Sequence, residues 1–194
     1  MDERRRTGLD HGRIRYASTF ISPENSRDIN RLKKAPRSVE IQRLIGRTIR
    51  SVVDLEKMGE NTMTIDCDVI QADGGTRVAS IVGGFIAMVQ AFRSINDGMV
   101  PINDYLGAVS LGIINGETLL DLCYEEDFRA EADMNFVMSG KGEIVEIQVT
   151  AEEKPFSIDT FNSLVKLASK GIMEVIDIQK KVLIEVTQRN YKIY

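Results

Sequence analysis

Apolar and polar residues alternate from Met63 to Val69, with Met63, Ile65, Cys67 and Val69 set against Thr64, Asp66 and Asp68. A period of two sends alternate side chains to one face, so "TMTIDCDVIQ" predicts a half-buried strand. Upstream the period changes. Ile41, Leu44, Ile45, Ile49, Val52 and Val53 recur at the three- and four-residue intervals of one helical stripe. That helix is predicted to begin near Ser38, a cap just beyond Pro36 and Arg37, and to close at Gly59. Arg43, Arg47 and Arg50 line its second face, which is either solvated or turned towards RNA or another subunit. Downstream, "RVASIVGGFIAMVQAFRSI" is apolar nearly all round and predicts a central, buried helix. Gly83 and Gly84 inside it would let another backbone approach closely.

Two hairpins follow. "LGAVSLGIIN" and "ETLLDLCY" flank Asn115–Gly116, a pair suited to the positive φ angles of a tight hairpin turn. "MNFVMS" and "IVEIQVT" repeat the arrangement around Gly140–Lys141–Gly142. The last helix is predicted to start at Ser157, with Phe156 and Phe161 as a hydrophobic staple and Leu164, Val165, Ala168, Ile172, Val175 and Ile176 as its buried stripe. The order helix, strand, helix, four strands, helix implies an α/β (α+β) fold: a mixed, mostly antiparallel sheet covered by helices. A single domain over residues 1–194 is expected, with its core in 37–194. Residues 1–36 read as basic and irregular apart from a short strand in "YASTFI".

Composition narrows the chemistry. Hydrophobic residues make up 43% and charged residues 28%, the balance of a soluble globular protein. No uninterrupted apolar run approaches the ~20 residues of a membrane span, and "MDERRRTGLDHG" lacks the apolar segment of a signal peptide. Cys67 and Cys123 lie in strand-like patterns and read as reduced, buried thiols of a cytoplasmic protein. His11 is the only histidine and sits in a polar, glycine-flanked segment. Histidine-dependent nucleophilic triads and His/Cys zinc sites are therefore not expected. Charge is uneven: residues 1–50 carry 13 Lys/Arg against 6 Asp/Glu, and the remainder 12 against 23. A basic front on an acidic chain marks either a polyanion-facing surface or a solvated tail.

Two stretches exceed what folding requires. Gly74, Gly75, Thr76 and Arg77 stand between the strand and the buried helix. The first amides of a helix lack intrahelical acceptors, and the dipole is positive there. Two glycines admit a ligand to that backbone; a hydroxyl and a planar guanidinium suit phosphate oxygens. The alternative is a capped helix whose arginine pairs with a neighbouring carboxylate. In "YEEDFRAEADMN", Glu125, Glu126, Asp127, Glu131 and Asp133 crowd a connection between strands. This density of hard oxygen ligands suits Mg²⁺ or Mn²⁺, and equally suits an acidic surface loop.

In sequence order, "RSVEIQRLIGRTIRSVVDL", "TIDCDVIQADGGTRVAS" and "EEDFRAEADMNFVM" strongly resemble the ribonuclease PH family, bacterial phosphorolytic 3′-exoribonucleases related to polynucleotide phosphorylase and the exosome ring subunits. By position, the resemblance implies that Gly75, Thr76 and Arg77 form a phosphate-binding turn and that Arg37 reaches the same anion. It implies that Asp127 and Asp133 serve catalysis and metal binding, with Mg²⁺ or Mn²⁺ as cofactor and inorganic phosphate as co-substrate. It further implies a hexamer built as a trimer of dimers, no membrane, and processing of transfer-RNA precursor 3′ ends. Arg27, Arg31, Lys33 and Lys34 would then attract RNA through its phosphates. Family members begin with strands that have no counterpart here, so a fragment, a start-site artefact or a divergent paralogue is expected. A non-catalytic ring subunit or RNA-binding scaffold of the same fold is the competing expectation.

Overall fold

The computed structural model describes residues 13–19, 36–95, 99–152 and 154–190, with side chains from Pro36 to Glu185 except that of Arg37. His11 and the basic residues Arg27, Arg31, Lys33 and Lys34 lie outside the described residues.

Eleven elements follow in order among the described residues: β1 (Arg13–Thr19), α1 (Pro36–Arg50), α2 (Leu55–Met58), β2 (Thr62–Asp68), α3 (Thr76–Ile95), β3 (Leu106–Ile114), β4 (Glu117–Leu120), α4 (Tyr124–Phe128), β5 (Ala132–Ser139), β6 (Ile144–Ala151) and α5 (Ile158–Asn190). The main sheet is antiparallel, ordered β4-β3-β5-β6, while β1 and β2 form a separate parallel pair. The sheet content is therefore split in two, because β2 pairs with β1 rather than with any strand of the hairpins.

Helix α1 starts at Pro36, earlier than Ser38; proline suits the first helical position because its missing N–H would have had no acceptor there. It also ends early, at Arg50. The amides of Val52 and Val53 bond back only three residues, to Ile49 and Arg50. The chain then leaves the helix to bridge Val53 with Ile102, and Asp54 restarts it by capping α2 through the Lys57 amide at 3.1 Å. Gly59, with φ 65°, closes the short α2 and not, as the sequence predicts, the first long helix. Val52 and Val53 stay buried because the bridge, not a continued helix, holds them inward.

Strand β3 is buried on both faces. Val109, Leu111 and Ile113 join Met134, Phe136 and the Leu164–Ile176 stripe of α5 in one apolar cluster. Leu106 and Ala108 join Ile81, Phe85 and Met88 of α3 and Ile41, Ile45 and Ile49 of α1 in another. The sheet is thus sandwiched between α3 and α5, which is why β3 reads as a continuous apolar run. Helix α3 is long and apolar enough to cross a membrane by length and composition, unlike the sequence expectation, yet its apolar face is filled by α1, β2 and β3. A side chain at Gly84 would meet Ile49 and Ile65, so this glycine admits neighbouring side chains rather than a backbone; Gly83 faces open space. The Asn115–Gly116 turn has φ 53° and 80°, and Ser157 caps α5, its hydroxyl accepting the Thr160 amide at 3.1 Å. "YEEDF", expected to be a connection, is the short helix α4.

A Cβ on Gly107 would stand 2.6 Å from Ile172 Cγ2, so β3 lies directly against α5. Gly107→Ala is expected to destabilise the fold by about 1–3 kcal/mol through overpacking, read as a lower urea midpoint at unchanged slope.

Candidate active site

The turn before α3 is built from left-handed backbone. Gly74 has φ 77° and Gly75 φ 57°, conformations that favour glycine. A Cβ on Gly74 would lie 2.2 Å from the Leu122 carbonyl oxygen, so the turn is pressed against the chain that leads into α4. Asp73 fastens the same junction by accepting the Tyr124 amide at 3.0 Å. On its other side, Gly75 faces β3: a Cβ there would sit 3.3 Å from Ser110 Oγ and 3.8 Å from Asp121 Oδ1. Ser110 is buried, and its hydroxyl has no hydrogen-bond partner. The Gly75 carbonyl accepts the Ala79 amide at 3.0 Å, so α3 begins here with its first amides facing away from the helix body.

Register brings the acids to this end of the molecule. Asp133 pairs across the sheet with Gly112, and Asn135 with Ser110. Paired residues share a face, so Asp133 lies on the Ser110 side, opposite the α5 face. Asp127 comes from α4. The Asp133 carboxyl is held above the ordinary carboxylate range, first by burial, then by the charges of Glu152 and Asp127, with Arg77 opposing. Asp133 therefore feels the charges of Glu152, Asp127 and Arg77. Asp127 is exposed and Asp133 half-buried.

Other acids of the cluster are already engaged. Glu126 accepts the Cys123 amide at 3.0 Å, inside the first turn of α4. Glu131 accepts the Gly116 amide at 2.9 Å and pairs with Lys154 at 3.0 Å. The Lys154 bond, then the Gly116 amide, holds its carboxyl below the usual range.

The arginine is not saturated. Among the described residues its one ion pair is with Glu40, at 4.0 Å, beyond hydrogen-bond reach, and Glu40 is 57% exposed. Such a pair at the surface contributes at most about 1 kcal/mol, which argues against an arginine committed to a protein acid. Glu40 stands one turn after Arg37 on α1, so that helix brings the Arg37 backbone to the same end of the fold; its side chain lies outside the described residues. Arg43 and Arg47 border a groove of about 380 Å³ that begins at Pro36 and Glu40. Arg47 is neutralised there by Glu146.

Does this donor set fit a divalent metal? Asp127 adds like charge to Asp133, whose own burial already disfavours its ionised form. Among the described residues no three His, Cys, Asp or Glu side chains converge into a full protein cage. Two carboxylates with remaining positions for water and substrate phosphate are how Mg²⁺ is ordinarily held. The residues fit.

Sequence reasoning singled out Gly75, Thr76, Arg77, Asp127 and Asp133, and the fold brings them to one end. It missed Asp73, Ser110, Asp121 and Glu152. Asp73 adjoins the glycine turn and was the one with a readable signal; the others depend on strand register. Cys67 and Cys123 are free and half-buried, and Cys123 precedes α4 rather than lying in a strand. Burial, then Asp66, pushes the Cys67 thiol up, against the hydrogen bond it makes to the Ser80 carbonyl.

Comparison with known proteins identifies relatives of this chain. The model of the 3′ exoribonuclease family, domain 1, matches residues 6–93, and that of domain 2 matches residues 104–171. A protein described as ribonuclease PH from Bacillus pumilus is 54% identical over 167 residues, covering 84% of this chain and 69% of that protein. Rice (Oryza sativa) Rrp46 superposes with a TM-score of 0.73 at 15% identity, over 93% of this chain and 77% of its own. An archaeal exosome core gives 0.68 at 19% identity, over 88% and 70%. The Archaeoglobus fulgidus exosome with RNA bound to the active site gives 0.69 at 18% identity, over 86% and 70%. At these identities the solved structures establish the fold.

Two outcomes follow for the site. Gly74→Ala is expected to cost about 2 kcal/mol or more, from left-handed backbone and the Leu122 contact together, measured by denaturant titration. Because its folded carboxyl is raised, Asp133 favours the fold fully below the ordinary carboxylate range, and that contribution is lost as pH rises through its higher folded value. In chelator-treated buffer, Asp133→Asn is therefore expected to melt higher than the unsubstituted protein at neutral pH, with the gap closing below the ordinary carboxylate range.

Proposed function

The chain belongs to the ribonuclease PH family of 3′ exoribonucleases, and from that premise we propose how its own residues carry phosphorolysis: inorganic phosphate attacks the 3′-terminal phosphodiester of RNA, releasing a nucleoside diphosphate and a chain one residue shorter. The observation that carries this reading is the convergence of an unsaturated arginine, a helix N-terminus and two mutually repelling carboxylates at one end of the fold.

Phosphate at neutral pH is already an anionic nucleophile, so the reaction needs no histidine base. The difficulty is bringing one anion against another. Arg77 would clamp phosphate oxygens with its planar fork, while Gly75, Thr76 and the first amides of α3 complete the cradle. Arg37 would reach the same anion from α1. Held this way, phosphate is oriented in line with the leaving 3′ oxygen, and the encounter is paid for before the chemical step. Asp127 and Asp133 would hold Mg²⁺ or Mn²⁺, which supplies neutralisation of charge on the scissile phosphate and leaving oxygen. The elevated Asp133 carboxyl supports this assignment, because a carboxylate disfavoured first by burial and then by neighbouring like charge gains most from a cation.

The natural substrate under this reading is the 3′ end of a transfer-RNA precursor, processed in the cytoplasm. Arg27, Arg31, Lys33 and Lys34 would draw RNA in through its phosphates, so affinity should fall with salt. We read both family-matched halves as one domain, supported by the apolar cluster that joins α1 and α3 to β3, Val137 and Leu183. A hexamer, as a trimer of dimers, is the assembly proposed.

The test incubates the protein with a short RNA, Mg²⁺ and phosphate, and separates nucleotide products by chromatography. Nucleoside diphosphate that requires phosphate is expected, and Arg77→Ala should lower kcat/KM by about 10²–10³-fold. Arg77→Lys should not restore it, because a point charge does not replace the fork. Nucleoside monophosphate as product would exclude phosphorolysis; no product at all would leave the scaffold.

A further inference from the structure

The acidic helix α4 carries a feature that holding phosphate or a cation does not use. Tyr124 and Phe128 are 63% and 80% exposed, although each ring has a large apolar face to hide. Their centroids are 6.3 Å apart at an interplanar angle of 29°. Positions 124, 127 and 128 stand at i, i+3 and i+4 of one helix, so both rings share a face with Asp127. The same short helix is tied to the glycine turn before α3, where the Tyr124 amide donates to Asp73 at 3.0 Å. The aromatic pair therefore borders the site proposed above for phosphorolysis.

We propose that Tyr124 and Phe128 form a stacking platform for the 3′-terminal nucleobases of the RNA substrate. The inference rests on the phosphorolytic reading of the adjoining residues. Three features choose this occupant. Beside the rings, Glu125 is an exposed carboxylate outside the proposed metal pair; it repels a phosphodiester backbone and leaves an uncharged base as the part of RNA that fits there. The rings lie one helical turn from Asp127, about 5–6 Å between Cβ atoms, which is the scale separating a nucleotide's phosphate from its base. Two aromatic side chains offer roughly 300–500 Å² in all, well below the ~800 Å² per partner of a stable protein interface. Every base has a π face, so the platform grips without reading sequence, as removal of successive nucleotides requires.

The platform is also anchored to the phosphate turn. The Tyr124 amide donates to Asp73, the residue before Gly74. Base stacking and phosphate placement are thus set by one junction, and the terminal nucleotide is fixed at both its base and its linkage.

The experiment places 2-aminopurine at the 3′ end of a short RNA and mixes it with the full chain and Mg²⁺ in the absence of phosphate. Stacking should quench the fluorophore. Tyr124→Ala/Phe128→Ala should abolish the quench and weaken binding about tenfold or more. With phosphate added, the double variant should raise KM with kcat largely kept, while Tyr124→Phe and Phe128→Tyr behave as the unsubstituted protein. An RNA ending in an abasic nucleotide should bind both forms alike. Unchanged quenching and KM in the folded double variant would overturn the platform. So would a changed native mass, which would assign the rings to contacts between copies. Quenching without release of nucleoside diphosphate would support the platform and sink phosphorolysis; diphosphate release without quenching would do the reverse.

Discussion

The site depends on one close approach, the packing of Gly74 against the backbone at Leu122. With no Cβ at Gly74, the turn before α3 can press on the Leu122 carbonyl. The Asp73–Tyr124 hydrogen bond then ties the far side of that turn to α4. Everything chemical follows from this junction. It brings the start of α3, with Arg77, to the same end as α4, with Asp127, and Asp133 of β5 feels the charges of both. Positive and negative groups are thereby brought near each other without being allowed to pair.

That incomplete pairing is what sets the proposed site apart from the structural ion pairs. Arg47 and Glu146, or Lys154 and Glu131, form close ion pairs that neutralise themselves. Arg77 and Asp133 do not. Arg77 keeps a loose partner at 4.0 Å, and Asp133 feels more repulsion and burial than attraction. Under the proposed reading, electrostatic potential of both signs held by rigid elements would serve ligands: an anion at the helix tip and a cation between carboxylates. The rest of the fold supplies the rigidity. Strand β3 is covered by α3 on one face and α5 on the other, so neither half of the site can drift independently.

The elements themselves were largely legible in the chain. Alternation announced β2, the Asn115–Gly116 and Gly140–Gly142 turns announced both hairpins, and Ser157 with Phe156 and Phe161 announced α5. The failures share a cause. The stripe through Val52 and Val53 kept its helical spacing, but a bridge to Ile102, about fifty residues away in sequence, captured the chain instead. Likewise "TMTIDCD" was correctly a strand, yet nothing local said that it would pair with β1 apart from the main sheet. Acidic "YEEDF" looked like a loop, and became a helix because Glu126 could turn back to the Cys123 amide.

The sequence by itself determined which groups could act: the Gly74–Gly75 backbone, the Thr76 hydroxyl, the Arg77 fork and the Asp127 and Asp133 carboxylates, each fixed by side-chain chemistry or by local backbone freedom. Tertiary structure alone decided which of them meet. Glu131 and Glu126 are chemically equal to Asp127, but they are consumed by Lys154 and by backbone amides, whereas register sets Asp133 opposite Gly112. Ser110 and Glu152 joined the site for the same reason. Proximity between residues distant in the chain arises from strand pairing and helix packing, and no local pattern of residues encodes it.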